Sequence, residues 1–297
     1  MSVLEAKLKA LQAELVAFGR VVVAFSGGAD SALVAHVATD TLGASNALCA
    51  TAVSASLAPE ELADCRSLAS EWGLRWIAVE TTELSDAAYA ANGTDRCYHC
   101  KSNLLEALGP LAASEAATVV LGVNVDDLGD HRPGQSAAAE RGAKFPLVTS
   151  GFTKADVREV SCRLGLRTWD KPAAACLASR VPYGVPVTLG TLTKVADAES
   201  ALRELGFRQL RVRHYGELAR VELEGSDLSG AVDRRHEVVA AVKGAGYRYV
   251  TLDLEGFRSG NLNAALHDRT GSEGPESASQ LADVSQLTDA SGDAVES

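Results

Sequence analysis

Leu4, Leu8, Leu11, Leu15 and Phe18 recur at three- and four-residue intervals, the spacing that lines one face of a helix over residues 1–18. Val21-Val22-Val23-Ala24-Phe25 follows, apolar at every position, the pattern of a short strand buried on both faces. Ser26-Gly27-Gly28 breaks that run, and a helix is predicted over 29–38. The alternation continues with a strand at 47–53, a helix from Pro59 to Trp72, a strand at 75–79, a helix at 96–111, a strand at 118–122 and a helix at 154–164. Strands alternating with helices predict an α/β fold on a doubly wound parallel sheet. Such sheets hold ligands beyond the carboxyl ends of their strands.

Pro182, Gly184, Pro186 and Gly190 crowd one short stretch, which reads as a hinge over 181–190. The pattern then changes to a helix at 192–205, two antiparallel strands at 209–214 and 218–222 around Tyr215-Gly216, a helix at 228–242 and a last strand at 247–254. The expected organisation is a large domain over 1–180 and a smaller α+β domain over 191–265. Residues 266–297 are rich in Ser, Asp, Glu and Gly and, from Asp268 on, free of aromatics, the composition of a disordered acidic tail. There is no internal repeat.

The chain has 297 residues, of which 46% are apolar and 23% charged, enough for real cores. Its net charge of −11 disfavours nucleic acid and anionic membranes as partners. The stretch 268–297 carries seven acids and one base, so −5 remains for the rest. That leaves room for a local cationic pocket of Lys101, Lys171, Arg180, Arg211 and Arg213 facing a small anion, without an extended basic face for RNA. No run of eighteen apolar residues spans a membrane, and the first residues lack the apolar core of a signal peptide. Six cysteines are too few for a disulfide scaffold. These features predict a soluble cytoplasmic protein with reduced thiols.

The richest segment is Val21–Ser31, VVVAFSGGADS. Glycines let the backbone approach an anion closely, and the following helix offers free N–H groups at the positive end of its dipole. Ser26 and Ser31 add hydroxyl donors. Asp30 would repel a phosphate unless it binds a metal or caps a turn, which points to Mg²⁺. Neither the Walker pattern nor the dinucleotide G-x-G-x-x-G is present. In this context SGGADS resembles the PP-loop of the ATP pyrophosphatases, which cleave ATP between the α and β phosphates and adenylate an acceptor oxygen. That resemblance implies that Ser26, Gly27, Gly28, Asp30 and Ser31 hold pyrophosphate and Mg²⁺, with Ser54 and Gly122 flanking adenosine. Asp126, Asp127, Asp130 and His131 form a polar cluster after a strand, where function is expected, and Asp126 is assigned to the ATP site.

Cys49, Cys65 and Cys162 lie on predicted strand or helix faces and read as buried structural thiols. Cys97 and Cys100 form a C-x-x-C between Arg96 and Lys101, and Cys176 lies between Lys171 and Arg180, both cationic settings that favour thiolates. A redox dithiol, a zinc site completed by His99, and a [4Fe–4S] cluster with one open iron all remain possible from the residues. Spacing alone does not decide between zinc and iron.

Longer stretches point to one branch: LGVNVDDLGDHRPG (121–134), WDKPAAACLASRVPYG (169–184), RVRHYGELARVELE (211–224) and GYRYVTLDLEGFRSGNLN (246–263). With the PP-loop they are similar to the LarE family of ATP-dependent sulfur transferases over about residues 1–263. The resemblance implies ATP, Mg²⁺ and a small-molecule substrate, pyridinium-3,5-biscarboxylic acid mononucleotide, whose carboxylate is adenylated and converted to a thiocarboxylate for the nickel-pincer nucleotide. It implies Cys176 as the sulfur site and, since Cys97 and Cys100 are present, the three-cysteine type with a [4Fe–4S] cluster on Cys97, Cys100 and Cys176. Sacrifice of the Cys176 sulfur is the alternative. Lys101 would bind the adenylate or tune the cluster. Ser179, Arg180, Arg211 and Arg213 would bind substrate, because arginine forks match phosphate and carboxylate. Glu199 and Glu222 would position metal or polarise substrate, or be ordinary surface acids. A homo-oligomer is also implied. A PP-loop tRNA thiolase and a non-catalytic metal-binding nucleotide sensor are the competing functions.

Overall fold

Alternate residues of one central strand face two different cores. The computed structural model describes residues 2–129, 133–172 and 175–258. The chain opens with α1 (Val3–Phe18), β1 (Val21–Ala24), α2 (Ala29–Leu42), β2 (Ala47–Val53), α3 (Pro59–Glu71) and β3 (Arg75–Glu80). The short α4 (Ala87–Ala90), the long α5 (Arg96–Glu115) and β4 (Thr118–Leu121) follow. The four strands form one parallel sheet in the order β3-β2-β1-β4. Val21 and Val23 point into a core with Leu11 and Leu15 of α1 and Leu33 and Val37 of α2. Val22 points the other way, onto Leu104 and Leu108 of α5. A strand covered on both faces must be apolar throughout, which is why Val21–Phe25 reads as it does.

The chain continues through α6 (Pro133–Glu140), α7 (Pro146–Thr149) and α8 (Lys154–Arg163). Val157 and Val160 of α8 close the first core, whereas Cys162, expected to be buried, is exposed. The buried face of α8 is Val157, Val160 and Ser161, and the next residue turns outward. Cys49 and Cys65 are buried, as expected.

The smaller sheet is built from β5 (Leu210–Tyr215), β6 (Leu218–Leu223) and β7 (Tyr249–Leu252), with α9 (Leu189–Glu204), α10 (Leu228–Asp233) and α11 (Arg235–Gly244). β5 and β6 run antiparallel, and Gly216 takes the positive φ of +67° that their tight turn requires. β6 and β7 are parallel, joined across by α10 and α11. The single helix expected over 228–242 is interrupted at Arg234, whose side chain reaches back to the Leu205 carbonyl (2.7 Å) and lies over the Phe207 ring. Leu210, Val212, Val221 and Leu223 pack on Ala198 and Leu202 of α9 and on Val238 and Val242 of α11. The opposite face of β5 and β6 presents Arg211, Arg213 and Glu222. Residues 1–257 form one compact unit that includes both sheets. The tail read over 266–297 lies outside the described residues.

Candidate functional site

The phosphate-loop candidate forms where β1 ends. Gly27 adopts φ +68°, and a Cβ there would lie 2.9 Å from the Cys65 sulfur, so both conformation and space require glycine. Gly28 caps α2 without a side-chain hydrogen bond, leaving the first N–H groups of the helix to an anion. The Ser26 and Ser31 hydroxyls lie 3.0 Å apart, and Ser31 Oγ accepts from the Ser26 N–H (3.2 Å). Gly122, at the end of β4, packs directly beneath this turn. A Cβ there would stand 2.5 Å from the Ser31 nitrogen.

Asp30 accepts from Lys154 Nζ at 2.6 Å and from Asn124 Nδ2 at 3.1 Å, so its carboxylate is already engaged by two donors. Lys171 stands near Gly27, bound to Glu61 (2.8 Å) and Asp64 (2.7 Å). Asp126 accepts the Lys154 N–H at 2.8 Å and so caps α8. Asp127 accepts the Asn124 N–H (3.1 Å). Asp130 and His131 lie outside the described residues.

Past the end of β2, Ser54 donates to Glu83 and Ser56 pairs with Tyr89 (2.5 Å). The Leu177 N–H donates to the Ser56 carbonyl at 2.9 Å, which ties the residue after Cys176 to this strand end.

Cys97 and Cys100 lie in the first turns of α5, and Cys176 immediately precedes the short turn Leu177–Arg180. Cys97 and Cys176 are exposed, and Cys100 is half-buried. Burial pushes the Cys100 thiol up to about 12, against the lowering effect of Lys101, while charge on Cys176, Glu83 and Cys97 raises it further. Cys97 and Cys176 therefore each lie within electrostatic reach of Cys100. Burial opposes the Arg96 cation, but negative charge on Cys176 and Cys97 outweighs it and raises its pKa. His99 does not join the thiols: its ring nitrogens face Asp86 (3.5 Å) and Asp95 (3.3 Å). Three thiols beside Lys101 and Arg96 are the donor chemistry of an iron–sulfur site. Among the described residues, no group of three or more His, Cys, Asp or Glu is drawn together closely enough to ligate a metal.

The stretch read as a hinge is anchored by Asn92, whose amide donates to the carbonyls of Pro182 and Val185 (both 2.8 Å) and accepts from Arg96 (2.5 Å). Arg96 also donates to the Ala178 carbonyl (2.9 Å).

Arg180 binds Glu199 through Nε (2.8 Å) and Nη2 (3.1 Å), and its Nη1 donates to the Ala175 carbonyl (2.8 Å) and to Ser179 Oγ (3.0 Å). Every nitrogen is engaged, so Arg180 fixes the Cys176 segment. Glu199 and Glu222 are not surface acids: both are fully buried. Glu199 also accepts the Val212 N–H (3.0 Å), and Glu222 accepts from Arg213 (2.9 Å) and Arg220 (3.0 Å). Burial raises the Glu199 carboxyl, but Arg180 and its other donors outweigh this and hold it below its ordinary value.

Arg213 donates to the Ser179 carbonyl (2.8 Å), and its buried Nη2 has no hydrogen-bond partner among the described residues. Arg211 lies over the Phe257 ring at 4.5 Å. Burial, with Arg180 and Arg213 nearby, lowers its guanidinium to about 10. Three buried arginines against two buried carboxylates form a centre suited to an anion.

Lys154, Asn124, Glu83 and Asn92 escaped the sequence reading. One signal was available: Lys154 and Arg96 each open a helix, where a cation opposes the dipole, so each needs a partner elsewhere.

The NAD synthase family model matches residues 3–106. The chain is 39% identical over 267 residues to pyridinium-3,5-bisthiocarboxylic acid mononucleotide synthase of Lactiplantibacillus plantarum, covering 90% of this chain and 97% of that one. It is 47% identical over 266 residues to an uncharacterized protein of Synechocystis sp., covering 89% of this chain and 99% of the other. An uncharacterized protein of Methanocaldococcus jannaschii is 27% identical over 241 residues, covering 81% and 91%. Among the described residues no helix is long and apolar enough to cross a membrane.

Proposed function

We propose, from the premise that this chain belongs to the LarE family of ATP-dependent sulfur transferases, that it adenylates a carboxylate of pyridinium-3,5-biscarboxylic acid mononucleotide and converts it to a thiocarboxylate. The product serves nickel-pincer nucleotide synthesis. What carries the reading is the continuity of three groups of residues. Leu177 joins the Cys176 segment to the end of β2, and Ser179 joins it to Arg213. One segment thus ties a thiol and an anion centre to the end of β2, the strand that pairs with the phosphate loop's own β1.

A carboxylate has no leaving group, and adenylation supplies one. The carboxylate oxygen attacks the α-phosphorus, the bond to the β-phosphate oxygen breaks, and pyrophosphate departs with the electron pair. Ser26, Gly27, Gly28 and Ser31 stabilise that charge through N–H and hydroxyl donors, and Asp30, whose oxygens bind Asn124 and Lys154 here, would hold Mg²⁺, which supplies further positive charge. Ser54 and Gly122 flank the adenosine, and Asp126 holds the start of α8, whose Lys154 faces Asp30. Arg211 and Arg213, on β5, bind the substrate's phosphate and carboxylates with Ser179, while Glu199 and Glu222 set the arginine forks. A sulfur nucleophile then attacks the acyl carbon, and AMP leaves with the electron pair of the acyl C–O bond. Sulfide gives the thiocarboxylate directly. The Cys176 thiolate instead gives a thioester whose Cβ–S bond then breaks with loss of the Cα proton, leaving dehydroalanine. Cys176 is the sulfur site, and Lys101 faces the adenylate. We further propose that Cys97, Cys100 and Cys176 hold a [4Fe–4S] cluster, the donor chemistry described above supporting it. When bound, such a cluster supplies an open iron that carries transferable sulfide.

The test is release of AMP and pyrophosphate, with thiocarboxylate formation read by mass spectrometry, on the pyridinium dicarboxylate mononucleotide and on tRNA. Turnover on the former is expected, and turnover on tRNA alone overturns the reading. Iron and acid-labile sulfide are expected after anaerobic purification. An iron-free protein that carries dehydroalanine at Cys176 after one turnover refutes the cluster.

A further inference from the structure

We propose that Lys171 is a phosphate ligand of the Ser26–Gly28 loop, contacting the departing pyrophosphate, and that Glu61 and Asp64 compete with that phosphate for its ammonium. The proposal rests on the reading of that loop as a pyrophosphate site. The ammonium lies beside the loop: a Cβ on Gly27 would lie 3.8 Å from Lys171 Nζ. It has three donors. Glu61 takes one at 2.8 Å and Asp64 a second at 2.7 Å, and no described residue takes the third.

The setting is shielded enough for the charge to matter. The Lys171 side chain is 19% exposed, and those of Glu61 and Asp64 are 28% and 24% exposed. Burial opposes the ammonium, and the two carboxylates outweigh it, so the lysine stays protonated. Asp64 is also bound by Arg167 at 2.7 Å. When Lys171 turns toward a phosphate, Asp64 keeps Arg167 as a counter-charge, and Glu61, 28% exposed, is left to solvent. Lys154, by contrast, is matched by Asp30 at 2.6 Å, a carboxylate on the loop's own helix. Two lysines thus stand by the phosphate loop. Lys154 is neutralised within the site, and Lys171 is held by acids of α3 outside it.

The competing role is a plain ion pair that fastens residue 171 to α3, and the two make different predictions. Calorimetry of magnesium pyrophosphate binding to the full chain tests them, with thermal melting run alongside. Lys171→Gln is expected to weaken binding roughly tenfold or more, the loss of one charge-assisted hydrogen bond. Lys171→Arg restores most of it. Asp64→Asn, which breaks the same ion pair from the other side, leaves the affinity unchanged or higher. Wild-type affinity in Lys171→Gln overturns the proposal. So does an equal loss in Asp64→Asn, which would mark the pair as structural. If Lys171→Gln does not fold, Lys171→Arg and Asp64→Asn decide between the same outcomes. Failure of the wild type itself to bind pyrophosphate sinks the phosphate-loop reading, and this proposal with it.

Discussion

Glu199→Gln removes one negative charge from a site with no solvent access and leaves the shape nearly intact. Arg180 then faces an amide where it had a bidentate carboxylate, with bonds of 2.8 and 3.1 Å. Arg203 can turn to Glu60, 3.3 Å away, but Arg180 is buried and has no second acid. Breaking a buried pair by removing one partner costs about 3–5 kcal/mol. The amide oxygen still accepts from Arg180 and from the Val212 N–H, so about 3 kcal/mol is expected here. That is a large share of a typical stability of about 5–15 kcal/mol. The pH dependence has a definite sign. The Glu199 carboxyl is held below its ordinary value of 4.5, so its stabilisation is complete above that value and lost as pH falls through the lowered one. Urea unfolding followed by circular dichroism at pH 7 should show the full difference between wild type and variant. Repeated at steps below pH 4.5, it should show the two proteins converging. A difference under about 1 kcal/mol at pH 7, the worth of one neutral hydrogen bond, would refute the reasoning. So would a larger difference that stays constant into acid.

Gly122→Ala should push the start of α2 away from β4, since its Cβ meets backbone atoms of Asp30 and Ser31. Calorimetry should then show at least roughly tenfold weaker ATP binding, and wild-type affinity would mean the turn tolerates a shift. Asn92→Ala leaves the carbonyls of Pro182 and Val185 without their amide donor and should cost about 2–3 kcal/mol in urea unfolding. Alkylation of Cys176 should speed up or slow down with it. Cys97→Ala should abolish multiple turnover under anaerobic conditions while leaving pyrophosphate release, and retained multiple turnover counts against a shared role of Cys97 and Cys176.

The strand–loop–helix at Val21–Leu42 was legible because its two signals are local: an unbroken apolar run and a glycine pair before a helix. The cysteines were legible as residue types, since C-x-x-C between cations stands out. Glu199 and Glu222 were not. Each sits where a helix or strand carries polar residues, and only contact with Arg180 or Arg213, from distant segments, takes it out of water. The same holds for Lys154, whose partner lies 124 residues away. Lys171 was legible as a cation, but the acids that bind it lie 107 and 110 residues away. Cys162 misled because neighbouring helix positions differ by about 100°, so one step past Ser161 reverses its exposure. Arg234 broke a helix for a reason that no periodicity encodes, a tertiary hydrogen bond to Leu205.

The strand order has a consequence for when the protein becomes competent. β1 pairs with β2 on one side and with β4 on the other, so Val21 waits for Thr118 before its second edge closes. Gly122, Lys154 and Lys171 are made later still. A chain emerging from the ribosome therefore exposes an apolar strand with one unpaired edge through the synthesis of α3, β3 and α5, the kind of intermediate that invites aggregation. It cannot complete the turn that follows β1 until Gly122 has arrived beneath Ser31. Closing so long a loop is slow. The first strand to be synthesised is among the last to find all its neighbours, and truncation anywhere before residue 122 should yield a fragment that neither folds stably nor binds a nucleotide.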